Sequence, residues 1–252
     1  MAFYGSPASI TQRGTIEPFD LQVARGQIPY HNVVSLFGYQ SAIGNTTTPV
    51  WEVTSVYPAY LSSAATFYLY SASASDSGAV VFVSGLDANF NPVSEVVVLN
   101  GQTAVTTVNK YFRVNGLNMV SVASGQTSNV GIITVKQTTN TLAQINAGIG
   151  KSQSTIYTVP ANNTFYLDIA EVNSSNSYKS STILTYKVQA INNVTGVALT
   201  VLPQPFVSIY TINRSTVPFT YTEKTDIQWQ LATSTSTVAA GVVIAGKLIA
   251  NA

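Results

Sequence analysis

Twice in close succession an apolar run breaks at Asn-Gly and resumes. Val96-Val-Val-Leu99 meets Asn100-Gly101 before Gln102-Thr-Ala-Val105, and Phe112-Arg-Val114 meets Asn115-Gly116 before Leu117-Asn-Met-Val120. Asn-Gly tolerates the positive φ that a type I′ turn needs at both central positions. The repeated signal predicts two tight hairpins and hence an antiparallel sheet. Thr66–Tyr70, Gly78–Val83 and Val130–Val135 read as further buried strands around them.

The second half carries a different β signature. Phe165, Leu167 and Ile169 alternate with Tyr166, Asp168 and Ala170, and Leu184, Tyr186, Val188 and Ala190 alternate with Thr185, Lys187 and Gln189. Ile227, Trp229 and Leu231 repeat the pattern, and Val242–Ile249 closes the series. A period of 2 gives each strand one apolar face. Strands that return at short intervals without helices predict sandwiches or jelly rolls. Between the halves, Leu142, Ile145 and Ile149 suggest one helical turn, ended by Gly148 and Gly150. Residues 1–50 are punctuated by Pro and Gly and show no strong period, so they read as an extended arm ordered on a neighbour. The expected fold is therefore all-β: two tandem antiparallel β-sandwich or jelly-roll domains (51–140 and 154–252), joined by a linker (141–153) and preceded by an extended N-terminal arm (1–50).

Composition narrows the function. Charged residues make up 8% of the 252 and hydrophobic ones 46%, with 14 Tyr and 10 Phe. An average soluble domain is about 25% charged, so little self-repulsion keeps copies of this chain apart. Much of its surface is expected to be covered by partner subunits. The net charge is +1, with no basic run, so neither nucleic acid nor an anionic membrane is an expected partner. Cys is absent, which excludes disulfides, thiol catalysis and Cys-ligated zinc. The N-terminus lacks the basic and apolar regions of a signal peptide, and Lys247 interrupts the longest apolar stretch, so a soluble product of a cytoplasm is expected.

Motifs for chemistry fail on inspection. Gly148-Ile-Gly150-Lys151-Ser152 resembles a phosphate loop, but Ile145 stands where its first Gly belongs. Asp87-Ala-Asn89-Phe-Asn91 opens like a calcium loop, yet Pro92 and Val98 occupy the positions of the required Gly and Glu, so an Asx-capped turn is expected. His31 is a single histidine without a nucleophile elbow, and no carboxylate pair suited to glycoside hydrolysis can be placed. Asp168 and Glu171 are expected on opposite faces of one strand, and Glu223 and Asp226 as turn charges beside Lys224. No catalytic residue, metal or cofactor is expected.

Phe19-Asp-Leu-Gln-Val-Ala-Arg25-Gly26-Gln-Ile-Pro29 with Phe37-Gly38 resembles the N-terminal stretch of a family of virion structural proteins of tailed phages, cyanophages among them. Gly85-Leu-Asp-Ala-Asn-Phe-Asn91, Glu95, Leu99-Asn-Gly101, Phe112-Arg-Val-Asn115 and Asn129-Val-Gly131-Ile-Ile-Thr are similar to its central strands. Tyr157-Thr-Val-Pro160, Thr164-Phe-Tyr166 and Glu223-Lys-Thr-Asp226-Ile are similar to its C-terminal half. Tyr30 departs from the pattern, which leads one to expect Gly there. The resemblance implies a head decoration (cement) or head-fibre protein of the virion, bound to the major capsid protein and to copies of itself as a trimer or another cyclic oligomer. The expected contact residues are Phe19, Leu21, Val23, Arg25, Ile28, Pro29, Val33, Leu36 and Phe37. The alternative is a tail or fibre component that binds host glycans.

Overall fold

The computed structural model describes residues 17–53, 57, 58, 60–175, 182–206 and 210–251. A short helix α1 (Phe19–Ala24) leads into strand β1 (His31–Ile43) and the two-residue β2 (Thr48–Pro49). Seven strands follow: β3 (Tyr68–Ser71), β4 (Val80–Leu86), β5 (Pro92–Val98), β6 (Val105–Thr106), β7 (Arg113–Ser121), β8 (Ile133–Gln137) and β9 (Asn140–Ile145). The chain ends with β10 (Ile156–Thr158), β11 (Asn163–Ser174), β12 (Leu184–Asn192), β13 (Ala198–Phe206), β14 (Tyr210–Tyr221), β15 (Thr225–Thr233) and β16 (Val238–Ala250). The fold is all-β, and every strand pair is antiparallel.

The larger unit has two sheets, ordered β1-β16-β11-β14 and β10-β15-β12-β13, with β2 also on β15. Alternate residues of both sheets point into one core: Phe165, Leu167 and Val172 from β11, Leu184, Tyr186 and Val188 from β12, Ile227, Trp229 and Leu231 from β15, Val242 and Ile244 from β16. The period-2 sequence pattern is the cause, since it gives each strand one apolar face to bury. The smaller unit packs the sheet β6-β3-β8-β9 against β5-β4-β7 around Phe67, Leu69, Val81, Val83, Leu117, Ile133 and Val135.

These two units are nested, not tandem. Both β2 and β10 lie along β15: Pro49 pairs with Gln230, and Ile156 with Gln228. The chain leaves and re-enters this strand line at one point, where the Val50 N–H donates to the Trp229 carbonyl (3.0 Å) and the Thr155 N–H to the Val50 carbonyl (3.0 Å). Trp51 and Ser154 bridge just beyond. The smaller sandwich is thus an insertion into a single strand of the larger one.

Three expectations change accordingly. The extended arm of residues 1–50 does not describe 31–50: β1 pairs with β16 from His31↔Ile249 to Ile43↔Val238, and residues 1–16 lie outside the described part. Gly38 makes this seat possible, because a Cβ there would stand 2.5 Å from the Val50 carbonyl oxygen and 2.4 Å from a Thr155 methyl carbon. The helical turn expected in the linker 141–153 is strand β9, whose Leu142 and Ile145 enter the smaller core. Neither Asn-Gly joins a hairpin of neighbouring strands. Asn100-Gly101 turns the chain from one sheet to the other, and Asn115-Gly116 lies within β7, at the register shift between Ser84↔Gly116 and Gly85↔Val114. A bulge accepts Asn-Gly as readily as a turn does, because it too needs local backbone freedom. The β4–β5 hairpin turns at Asp87, whose carboxylate accepts from the Asn89 (2.8 Å) and Asn91 (2.9 Å) N–H groups, the expected Asx cap.

Candidate functional site

The N-terminal contact candidates divide by face. On β1 the residues Val34, Leu36 and Gly38 turn inward, and Val33, Ser35, Phe37 and Tyr39 turn to the outer face of the sheet. Val33 and Phe37 are about half exposed, as are Phe19 and Leu21 on α1. Arg25 and Pro29 are exposed and Ile28 is partly covered. Leu36 packs against the core, and Val23 is buried beneath α1, so neither faces solvent. Arg25 pairs with Glu17, and the Phe19 ring meets His31 edge-on, with centroids 5.8 Å apart.

Helix α1 lies beside the outer face of this sheet and is tied to it through Lys247. The Lys247 ammonium donates to Asp168 (2.6 Å) on β11 and pairs with Asp20 (2.9 Å) on α1. Alternation already places Asp168 on this outer face. The register shift between Leu167 and Ile169 turns Ile169 outward and Ala170 inward, so Glu171 faces the same side as Asp168 and not the opposite one expected from an unbroken period of 2. A cleft of about 390 Å³ opens between helix and sheet, lined by Ala24, Val33, Ile169 and Ala245 among others. Hydrogen bonds to Asp168 and Asp20 hold the Lys247 ammonium charged against its partial burial. Beyond α1, Phe37 stays half open under Lys151, whose ammonium stands 5.5 Å from the ring centroid.

The second charged feature joins the two sandwiches, and sequence reasoning missed it. Arg113 on β7 and Asp226 on β15 form a two-pronged ion pair, Nε to Oδ1 2.8 Å and Nη2 to Oδ2 2.9 Å, with side chains 4% and 2% exposed. Asp226 also accepts from the Thr158 hydroxyl (2.6 Å) and the Asn193 amide (2.8 Å). The guanidinium donates to the Leu61 and Phe112 carbonyls and stacks within 4.1 Å of the Phe112 ring centroid and 4.5 Å of that of Tyr60. Every strong demand of both ions is met, as burial requires. Burial raises the Tyr57 and Tyr60 hydroxyls well above their ordinary range, so they stay neutral here. Beside the pair, the Asn115 amide donates to the Thr158 carbonyl (2.9 Å) and accepts its N–H (3.0 Å), and Ser152 exchanges backbone and hydroxyl bonds with Leu117. The one sequence signal was a charged residue inside the apolar run Phe112-Arg-Val114.

Other carboxylates are also held by the fold. Asp76 accepts from the Val130 and Gly131 N–H groups (2.8 Å each), and Glu95 from Val108, Asn109 and the Tyr111 hydroxyl. Glu223 accepts from the Asn162 N–H (2.6 Å). Glu52, at the crossing into the insertion, accepts one N–H from Gln144 (3.1 Å), and burial pushes its carboxyl up to about 7. The phosphate-loop look-alike is a strand edge: the Met119 N–H donates to Gly150 and that of Ser152 to Leu117. Among the described residues no group of three or more His, Asp or Glu stands ready for a metal. Both tryptophans are buried.

No protein family matches the sequence, and no curated protein matches it as a relative. Among solved structures, the chain is slightly similar to the crystal structure of the infectious bursal disease virus VP2 subviral particle. The identity is 13%, with 93% of this chain and 78% of that one covered, at a TM-score of 0.22. The structure of the infectious bursal disease virus Gt strain gives 11%, 94% and 83%, at 0.20. Likeness at this level assigns neither fold nor role.

Proposed function

We propose that this chain is a non-enzymatic virion structural protein, a head decoration (cement) protein that binds the major capsid protein and copies of itself. The observation that carries the reading is the N-terminal segment. It presents Phe19, Leu21, Val33 and Phe37 half exposed. Exposed apolar groups on one contiguous segment are characteristic of protein–protein contact. The strand order supports a building-block role: numbered within the larger unit, with β2 and β10 as one strand, the sheets run 1-8-3-6 and 2-7-4-5. That is the two-sheet, double Greek-key order of a jelly roll, an architecture used in capsids and also in lectins and cupins.

Cryo-electron microscopy of the intact particle tests this. The expected result is density for this chain on the shell, with the α1–β1 side against the capsid. Density on the tail would replace decoration by a tail or fibre role, and absence from purified particles would overturn the virion reading. A deletion that probes the contact should stop before His31, because removal of residues 2–40 also strips β1 from its sheet.

A further inference from the structure

We propose that the edge of β1 left unpaired among the described residues pairs antiparallel with β1 of a second copy, across a two-fold axis at Ser35. This deepens the assembly role above by naming a surface and its occupant.

The phase of the edge follows from one bond. The Ala250 N–H donates to the Tyr30 carbonyl (2.9 Å), so even-numbered residues of β1 direct their backbone groups to β16. Odd-numbered residues direct theirs away, as the Tyr39 N–H shows by reaching the Gln153 carbonyl (3.4 Å). The His31 N–H is taken by Ile28 (3.4 Å). Between these ends, the outward backbone groups of Val33, Ser35 and Phe37 meet no partner among the described residues.

Bare edges recruit strands, and proteins blunt them with Pro, charge, bulges or cover. The other long edges here are blunted. β13 carries Pro203 and Pro205, β14 carries Arg214 and Pro218, and β5 opens with Pro92 and holds Glu95. β7 is covered by residues 150–152, and the β9 edge is engaged at Gln144 by Glu52. β1 has no Pro and no charged residue in its thirteen positions, and its register irregularity falls after Gln40, beyond the open stretch.

The occupant follows from the sequence of that stretch. Two-fold pairing about Ser35 sets Val33 opposite Phe37 of the second copy, Ser35 opposite Ser35, and Phe37 opposite Val33. An isologous contact requires such self-complementarity. Each cross-strand pair is apolar or small, and no like charges meet. The exposed halves of Val33 and Phe37 then cover each other, and the sheet β1-β16-β11-β14 continues into its copy.

Sedimentation of the full-length protein, with three variants, tests the pairing. The native chain should sediment as a dimer. Ser35→Lys, at an exposed position, should be monomeric at concentrations where the native chain is dimeric, with an unchanged circular dichroism spectrum. The protein has no cysteine, so Ser35→Cys adds a single thiol. It should cross-link to a reductant-sensitive dimer, because directly opposed residues fall within disulfide reach. Val33→Cys should not, since its counterpart lies off the axis. A native monomer or trimer overturns the proposal, as does a dimer that ignores Ser35→Lys and fails to cross-link through Ser35→Cys. Equal cross-linking through Val33→Cys also overturns it. A dimeric chain missing from particles would sink the virion reading alone, and a monomer found in particles would sink the pairing alone.

Discussion

Replacing Asp226 by Asn asks whether the two sandwiches unfold as one. The substitution keeps the volume and keeps an acceptor where Oδ1 receives Arg113 Nε (2.8 Å) and the Thr158 hydroxyl (2.6 Å). It removes the counter-charge and puts an amide donor where Oδ2 now receives Arg113 Nη2 (2.9 Å) and the Asn193 amide (2.8 Å). A buried ion that loses its partner costs about 3–5 kcal/mol. Arg113 would retain the Leu61 and Phe112 carbonyls and the aromatic faces, which places the expected loss near the lower bound, about 3 kcal/mol. With a urea slope of roughly 2–3 kcal/mol per M, the unfolding midpoint should fall by about 1–1.5 M. Because the pair spans the insertion and its carrier, the transition should also broaden or split. A midpoint shift equivalent to under about 0.5 kcal/mol would mean that the pair behaves as a hydrated surface contact, and the picture of a charge-locked joint would fail.

Further expectations concern the same joint and the N-terminal segment. The folded carboxyl of Glu52, at about 7, titrates above its ordinary 4.5, so the fold holds this proton more tightly than the unfolded chain does. Its contribution is therefore complete below pH 4.5, declines as pH rises from 4.5 to about 7, and is flat above, a change of roughly 3 kcal/mol. Glu52→Gln should flatten the slope in urea titrations between pH 4.5 and 8 and stabilise the protein at pH 8. Asn115→Ala should cost about 1–3 kcal/mol by leaving the Thr158 N–H buried without its partner, seen in thermal melts. Tyr30 has φ 63° and is 77% exposed, so Tyr30→Gly removes backbone strain with little lost packing and should stabilise by up to about 1 kcal/mol, measurable in the same melts.

Strand content was legible because alternation survives wherever the second face is polar, partly exposed along Leu184–Ala190 and covered but hydrogen-bonded at Gln228 and Gln230 of Ile227–Leu231. It was not legible in β1. There the outer positions Val33, Phe37 and Tyr39 are as apolar as the inner Val34 and Leu36, so the period of 2 vanishes and Pro and Gly dominate the impression. Asn115-Gly116 was misplaced for a related reason: a dipeptide that permits a turn also permits a bulge, and only the partner strand distinguishes them. The Arg113–Asp226 pair was beyond reach, since its members stand 113 positions apart and each, taken alone, looks like a surface charge. Tyr30 is the converse case. The resemblance led to an expectation of Gly, and the left-handed backbone at Tyr30 supplies the physical reason.

The nested order has a mechanical consequence that a tandem order would lack. A domain hung on one linker swings about it, and relative motion is the default for such pairs. Here two crossings sit side by side at Val50 and Thr155, both bonded into the strand line beside Trp229, so the insertion cannot twist without breaking the sheet that carries it. Lateral ties from Asn115 to Thr158 and from Arg113 to Asp226 lie away from that crossing and oppose bending about it. A body fixed in this way presents its surfaces at set angles. In a repeating assembly this matters more than the strength of any one contact, because several weak contacts reinforce each other only when their geometry allows simultaneous engagement. The buried ions of the joint then serve orientation, and their substitution by apolar residues could preserve stability while loosening the angle between the sandwiches.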